Sequence, residues 1–421
     1  MGRFGWLAAC TALLIADVGL AQVVVFPIDP ESGDTAGPEA PVQSGPEYGV
    51  FSVGYYRFGV GATDGSDMVG FKLDGAESKY RLGNESDLYG ELSLGFRGPL
   101  GNGSDVVTEV MLNGGGNSNA LIFDAPWNGF GDVVQAYAGI ERIGDGVARD
   151  AFLWAGRRYY GRHDVHMTDF YFEDFSGDAV GIENLRFGAT GFSAAAFYYD
   201  DDDIDFQSRA LDVRFEELPM GGAWLGEVGL AYLDGSGDDA TGDDGYSVRL
   251  HADNTELSWG QWRNALMYGE GIGINFNSKG ATNAGDGDSR VRFVTSALIT
   301  PSDYFQTQAT GVWQRTDRDG EVETWLSAGL RPQYNFNQDW GLAVEFGLDY
   351  VDQEDEGSRS LAKLTVAPFY SFGKVGYFAR PQLRAFLTVA KWSDPGAITE
   401  QAALGTATDG TTIGIQIENW W

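Results

Sequence analysis

The sequence predicts an all-β fold, a transmembrane antiparallel β-barrel rather than a soluble sandwich. Three observations carry that expectation. The chain opens on MGRFGWLAACTALLIADVGLA, an export leader with a cation at Arg3, an apolar stretch and small residues at Gly19 and Ala21. From about Tyr48 onward, segments of roughly ten residues alternate polar with apolar or aromatic side chains, and Gly/Asp/Asn/Ser clusters separate them. The last segment, TTIGIQIENWW, puts Ile413, Ile415, Ile417 and Trp421 on one face and Gly414, Gln416, Glu418 and Trp420 on the other. Lipid accepts only sheets without a free edge, and aromatic side chains favour the interface. An apolar outward face ending in an aromatic therefore suits a strand that closes a barrel.

Each element follows in order. The leader, residues 1–21, is too short and too interrupted by Asp17 to span a bilayer, and its removal after Ala21 takes away Cys10, the only cysteine. LAAC, ending at Cys10, looks like a lipoprotein acceptor, but too few residues precede it. A mature chain without thiols has neither disulfides nor thiolate metal sites. Residues 22–47 are rich in proline and acid and lack periodicity, which predicts a flexible lead-in. The barrel is expected over 48–421. In YGELSLGFRG, Tyr89, Glu91, Ser93, Gly95 and Arg97 share one face while Leu92, Leu94 and Phe96 share the other. The acidic, glycine-rich stretches around Asp200–Asp203 and between Tyr232 and Tyr246 read as solvated loops; their spacing does not match the EF-hand calcium loop. About 370 residues at some twenty per strand and turn allow roughly sixteen to eighteen strands.

Composition narrows the function classes. A net charge of -33 argues against a nucleic-acid partner, because phosphate would be repelled and no basic stripe offsets it. No stretch after the leader supplies the roughly twenty apolar residues of a transmembrane helix.

Separated stretches carry a more specific signal: GYYRFGVG at 54–61, SKYRLGNESDLYGEL at 78–92, WAGRRYYGRHDVHMTDFYFEDFSGDAVGIEN at 154–184, then LRPQYNF, ARPQLRAFLTVAKW and the terminal IENWW. In this order they resemble the maltoporin (sugar porin) family, over nearly the whole mature chain. The resemblance implies an 18-stranded homotrimeric barrel, set in the lipid of a Gram-negative outer membrane, that passes maltose and maltodextrins by diffusion. A pyranose ring has an apolar face and a belt of hydroxyls, so its path needs aromatic side chains flanked by charged hydrogen-bonding groups. The resemblance places the aromatic column at Tyr55, Tyr89, Trp127, Phe378 and Trp420, and the hydroxyl-binding track at Arg57, Arg81, Glu91, Arg162 and Asp169. Parity agrees, because Tyr55 and Arg57, like Tyr89 and Glu91, are two residues apart and share a strand face. Trp127 lies in FDAPWNGFG, where the family's counterpart reaches into the neighbouring subunit.

Several positions depart from the family. Val134, just before QAYAG, stands where the family carries a track arginine. Gln261 replaces an aromatic, with Trp262 beside it on the opposite face, and Phe378 replaces a tryptophan. A thinner column and one lost cation should alter sugar selectivity.

The stretch WAGRRYYGRHDVHMTDFYFEDFSG holds two of the chain's three histidines among arginines, acids and aromatics. The resemblance makes it a strand end, Trp154 to about Tyr159, running into an inward-folded constriction loop. Arg162 and Asp169 would meet sugar hydroxyls, Tyr171 would set the narrowest point, and His163, Asp164 and His166 would pin the loop to the wall. No metal site is expected: His163 and His166 are spaced i, i+3 without a clear third ligand, and His251 is remote in sequence. No cofactor is expected either. Glu91 and Asp169 could form a glycosidase pair, but a binding role is adequate for them, and no GxSxG nucleophile motif appears. The competing class is a general diffusion porin, which filters by width and charge and has no need of aligned aromatics.

Overall fold

The computed structural model describes residues 24–25, 48–85, 87–117, 130–201, 203–354 and 356–421. The expected leader, the rest of the lead-in and Trp127 lie outside the described residues. Eighteen strands build the wall. They are β1 Gly49–Thr63, β2 Asp87–Pro99, β3 Asp105–Asn117, β4 Phe130–Glu141, β5 Phe152–Arg158, β6 Gly177–Phe187, β7 Thr190–Asp201, β8 Phe206–Gly221 and β9 Trp224–Ser236. The circuit continues with β10 Asp244–Leu257, β11 Gly260–Gly271, β12 Ser289–Ser302, β13 Phe305–Arg318, β14 Glu321–Asn335, β15 Trp340–Gln353, β16 Gly357–Tyr370, β17 Gln382–Trp392 and β18 Asp409–Trp420. Each strand pairs antiparallel with the next, and β18 returns to β1 with Trp420 opposite Tyr55 and Glu418 opposite Arg57. Closure leaves no edge, which is what lets a sheet sit in lipid.

Exposure follows the pleat with the opposite chemistry to that of a soluble protein. Leu94 is 62% exposed and Ile413 64%, whereas Arg57 on the inner face is only 3% exposed. Apolar side chains point out and polar ones are enclosed, so the alternation read in YGELSLGFRG and TTIGIQIENWW holds residue by residue. Trp262 is an outward residue, packed against Trp224 with ring centroids 5.5 Å apart, while Gln261 points the other way into an inner cavity. Val134 is the extra residue of a β-bulge, falling between the pairs Gln135–Met111 and Val133–Leu112.

Two of the connecting segments that fold inward are held by wall arginines. Between β5 and β6, Arg162–Val165 and Phe170–Asp174 form a small hairpin outside the wall sheet. Inward arginines on alternate strands hold it. Arg214 on β8 and Arg249 on β10 pair with Glu173 at 2.6 and 2.9 Å. Arg292 on β12 donates to the Phe172 carbonyl at 2.8 Å, and Arg331 on β14 to the Met167 carbonyl at 2.8 Å. Gly161 begins the hairpin at φ +52, and a Cβ there would lie 2.1 Å from the Arg214 guanidinium.

The second segment is residues 64–85, between β1 and β2. It crosses to the far wall. The Tyr80 ring lies on Gly329 of β14 and Gly347 of β15, where an added Cβ would approach it to 2.1 and 2.0 Å. Its hydroxyl meets Ser327 Oγ at 2.9 Å, and Glu77 pairs with Arg290 at 3.1 Å and with Arg292. The two segments also join each other, Lys79 N donating to the Thr168 carbonyl at 3.0 Å and Arg81 N to the Met167 carbonyl at 3.3 Å.

Candidate functional site

The seam where the chain's two ends meet carries most of the proposed site. Across β18, β1 and β2, Trp420, Tyr55 and Glu91 form one row, and Glu418, Arg57 and Tyr89 form the next. Two inward-facing rows two residues apart on three adjacent strands make a continuous patch. Tyr55 lies 6.1 Å from Tyr89 and 6.4 Å from Trp420 between ring centroids. The hairpin extends the line: the His166 ring meets Trp420 at 5.8 Å and Phe378 at 5.3 Å, both edge to face. Tyr89, Tyr55, Trp420, His166 and Phe378 thus form one run of rings.

Charged groups flank the run, tied together by hydrogen bonds. Arg57 meets Glu85 at 3.0 Å and donates to the Tyr55 hydroxyl at 3.0 Å. Arg81 reaches Asp169 at 2.8 Å, Glu418 at 3.1 Å and the Tyr55 hydroxyl at 2.7 Å. Glu91 accepts from Tyr89 at 2.5 Å and from Tyr159 at 2.8 Å. Asp169 turns the hairpin with φ +51, a left-handed conformation that aspartate adopts more readily than most side chains. Burial alone would raise the Glu85 carboxyl, but Arg57, Lys79 and Arg81 outweigh it and hold the group below the usual carboxylate range.

Tyr55, Arg57, Tyr89, Glu91, Arg162, Asp169 and Tyr171 line one cavity of about 230 Å³. Arg162 is sandwiched there between the rings of Tyr159 and Tyr171, 3.9 and 4.2 Å from their centroids, and pairs with Asp174 at 3.4 Å. Asp169 also borders a second cavity of about 330 Å³ with Lys72, Lys79 and Lys363. Phe378 lies apart from the first cavity; it lines a neighbouring one with His166 and Gln261.

Glu418 joins the site as an unforeseen hub, meeting Arg380 and Arg384 at 2.7 Å each as well as Arg81. Its parity with Trp420 put it on the inner face, which was the available clue. Lys79, Glu85 and Tyr159 likewise had no assigned role. His251 is remote from His163 only in sequence: His163, His251, Glu173 and Glu227 bring one ligand atom each within 4.8 Å of one another. The spacing of His163 and His166 gives no sign of this grouping, because the neighbours of His163 come from the hairpin's other arm and the wall.

Residues 51–421 match the model of the LamB porin family. The chain belongs to the LamB porin family. This porin is therefore an outer-membrane channel protein, in agreement with its closed barrel. Among solved structures, the outer membrane channel DcaP of Acinetobacter baumannii is similar with a TM-score of 0.51 at 10% identity, covering 88% of this porin and 97% of that chain. OmpF of Salmonella typhi, in complex with daunomycin, gives a TM-score of 0.51 at 11% identity over 88% and 98%. OpdK from Pseudomonas aeruginosa gives 0.48 at 12% identity over 89% and 99%. At these identities the likeness concerns the barrel alone.

Proposed function

We propose that this porin is a sugar-selective channel that passes maltose and maltodextrins by facilitated diffusion. The observation that carries the reading is the run of rings from Tyr89 through Tyr55, Trp420 and His166 to Phe378, flanked by Arg57, Arg81, Glu91, Arg162 and Asp169. A pyranose stacks its apolar face on a ring while its hydroxyls exchange hydrogen bonds with neighbouring charges. The charges are already paired with one another, so an arriving hydroxyl replaces one good partner by another and no bare ion is created. Transport needs binding that is favourable but repeated over adjacent sites of similar strength, which a line of rings supplies. Tyr171, lining the cavity with Arg162, is assigned to the constriction. Family membership and the motif resemblance support a homotrimer and, for Trp127, a place at the neighbouring subunit's mouth.

Planar bilayers test the reading. Maltotriose should block the ion current at millimolar concentration or below, and liposomes holding the porin should swell in maltose. Small-ion current that no maltodextrin alters would leave a general diffusion porin as the correct description.

A further inference from the structure

The cluster at the hairpin's base lies beside the proposed sugar path and has no role assigned in it. Glu173 and His163 come from the hairpin, Glu227 from β9 and His251 from β10. His251 Nε2 lies 2.8 Å from Glu173 Oε2, and His163 Nε2 lies 3.6 Å from Glu227 Oε2. The other oxygen of each carboxylate is held by arginine: Glu173 Oε1 by Arg214 and Arg249 at 2.6 and 2.9 Å, Glu227 Oε1 by Arg214 at 2.9 Å. The arginines therefore orient both carboxylates from behind and leave the Oε2 atoms facing the two imidazoles. Such outer partners fix ligand orientation in metal sites. The imidazole centroids are 4.3 Å apart, and Glu173 is fully enclosed.

We infer that His163, Glu173, Glu227 and His251 form a binding site for a divalent transition cation of the zinc class, which cross-links the hairpin to the barrel wall. Two imidazole nitrogens and two carboxylate oxygens suit zinc; calcium and magnesium prefer all-oxygen shells. A tetrahedral shell with zinc bonds of about 2.0–2.2 Å sets donors roughly 3.3–3.5 Å apart. All four donors already lie within 4.8 Å of one another, so modest side-chain rotation closes the shell. Entry is open from the inside, because His163 and His251 also line the cavity that holds Asp253 and Phe378. The metal would displace the two histidine–carboxylate contacts and leave the arginine contacts in place. Asp212, bonded to both arginines, balances their charge and keeps them from repelling the ion.

The test uses tag-free mature porin in detergent, stripped with a chelator and titrated with Zn²⁺, then with Co²⁺ as a spectroscopic probe. One saturable site per chain is expected, with the ligand-field absorption of four-coordinate cobalt and a rise in unfolding temperature with zinc. His163→Gln and His251→Gln should each weaken zinc at least about tenfold. Conducting wild-type porin that takes up no zinc at a saturable site would overturn the inference. So would either histidine variant that conducts like wild type and binds zinc as tightly. Zinc-edge X-ray absorption of the wild type needs no variant: a shell without two imidazoles also defeats the assignment.

Discussion

Two of the segments inside the barrel use the same anchor but announce themselves very differently. In residues 64–85 Glu77 reaches Arg290 and Arg292; in the hairpin Glu173 reaches Arg214 and Arg249. Both send a loop carboxylate into inward arginines, whose charge-assisted hydrogen bonds fix its position, and both bury apolar side chains in one cluster, Phe71, Leu73 and Tyr80 from the first and Met167, Phe170 and Phe172 from the second. Their second anchors differ. Tyr80 lies flat in a seat made by two wall glycines, whereas the hairpin sets Phe170 edge-on to Trp325 at 5.2 Å. The hairpin is conspicuous in sequence because its aromatics and cations serve both anchoring and the proposed path. The seat of Tyr80 is made of absent side chains on strands remote in sequence, and it leaves no local trace.

Removing the Glu173 carboxylate should have the largest effect. Glu173→Ala removes the carboxylate shared by the enclosed Arg214 and Arg249 and leaves Asp212 and Glu227 to balance them, and denaturant unfolding in detergent should show a loss of about 3–5 kcal/mol. A smaller loss would mean that Asp212 and Glu227 suffice for the two arginines. Disturbing the glycine seat comes next: Gly347→Val forces the Tyr80 ring away and should cost about 1–3 kcal/mol, with a rise in conductance as residues 64–85 loosen. Unchanged stability and conductance would show that the segment's polar anchors, Glu77 among them, hold it without the seat. Tyr171→Ala should leave unfolding nearly unchanged while raising conductance and weakening maltodextrin block by roughly threefold to tenfold, the worth of one aromatic contact. Unaltered conductance would remove Tyr171 from the constriction.

The smallest effect concerns acid. Burial opposes ionisation of Glu77, but Arg292 and Arg290 overcome it and hold the carboxyl at about 2. Because the folded value is depressed, the stabilisation is complete above the ordinary carboxylate range near pH 4.5 and is lost as pH falls toward 2. With 35% of the Glu77 side chain exposed, salt should shrink the effect. Stability of wild type and Glu77→Gln compared between pH 6 and pH 3 should converge on the acid side. A difference that persists unchanged to pH 3 would show that Glu77 acts through something other than its charge.

The wall was legible because a strand's period of two is local: Leu92, Leu94 and Phe96 must share a face whatever the rest of the chain does. Closure was legible from the last strand, whose parity separated Trp420 from the isoleucines. Motif order grouped Tyr55, Arg57, Tyr89, Glu91, Arg162, Asp169 and Tyr171, and they line one cavity. Arg81 belongs with them by motif, yet nothing local shows that it sits in a second inward segment. Glu418 had the right parity, but the arginines that converge on it come from 81, 380 and 384.

By itself the sequence determined the all-β class, the inward and outward faces of the strands and the chemistry of the hairpin, because these depend on neighbours one or two residues away. Only the tertiary structure decided that residues 64–85 cross the lumen, that Glu418 gathers three arginines and that His163 meets His251. Those pairings join residues separated by much of the chain, and closing the barrel is what brings them within reach. Periodicity specifies which way a side chain points, but the far wall specifies what it touches.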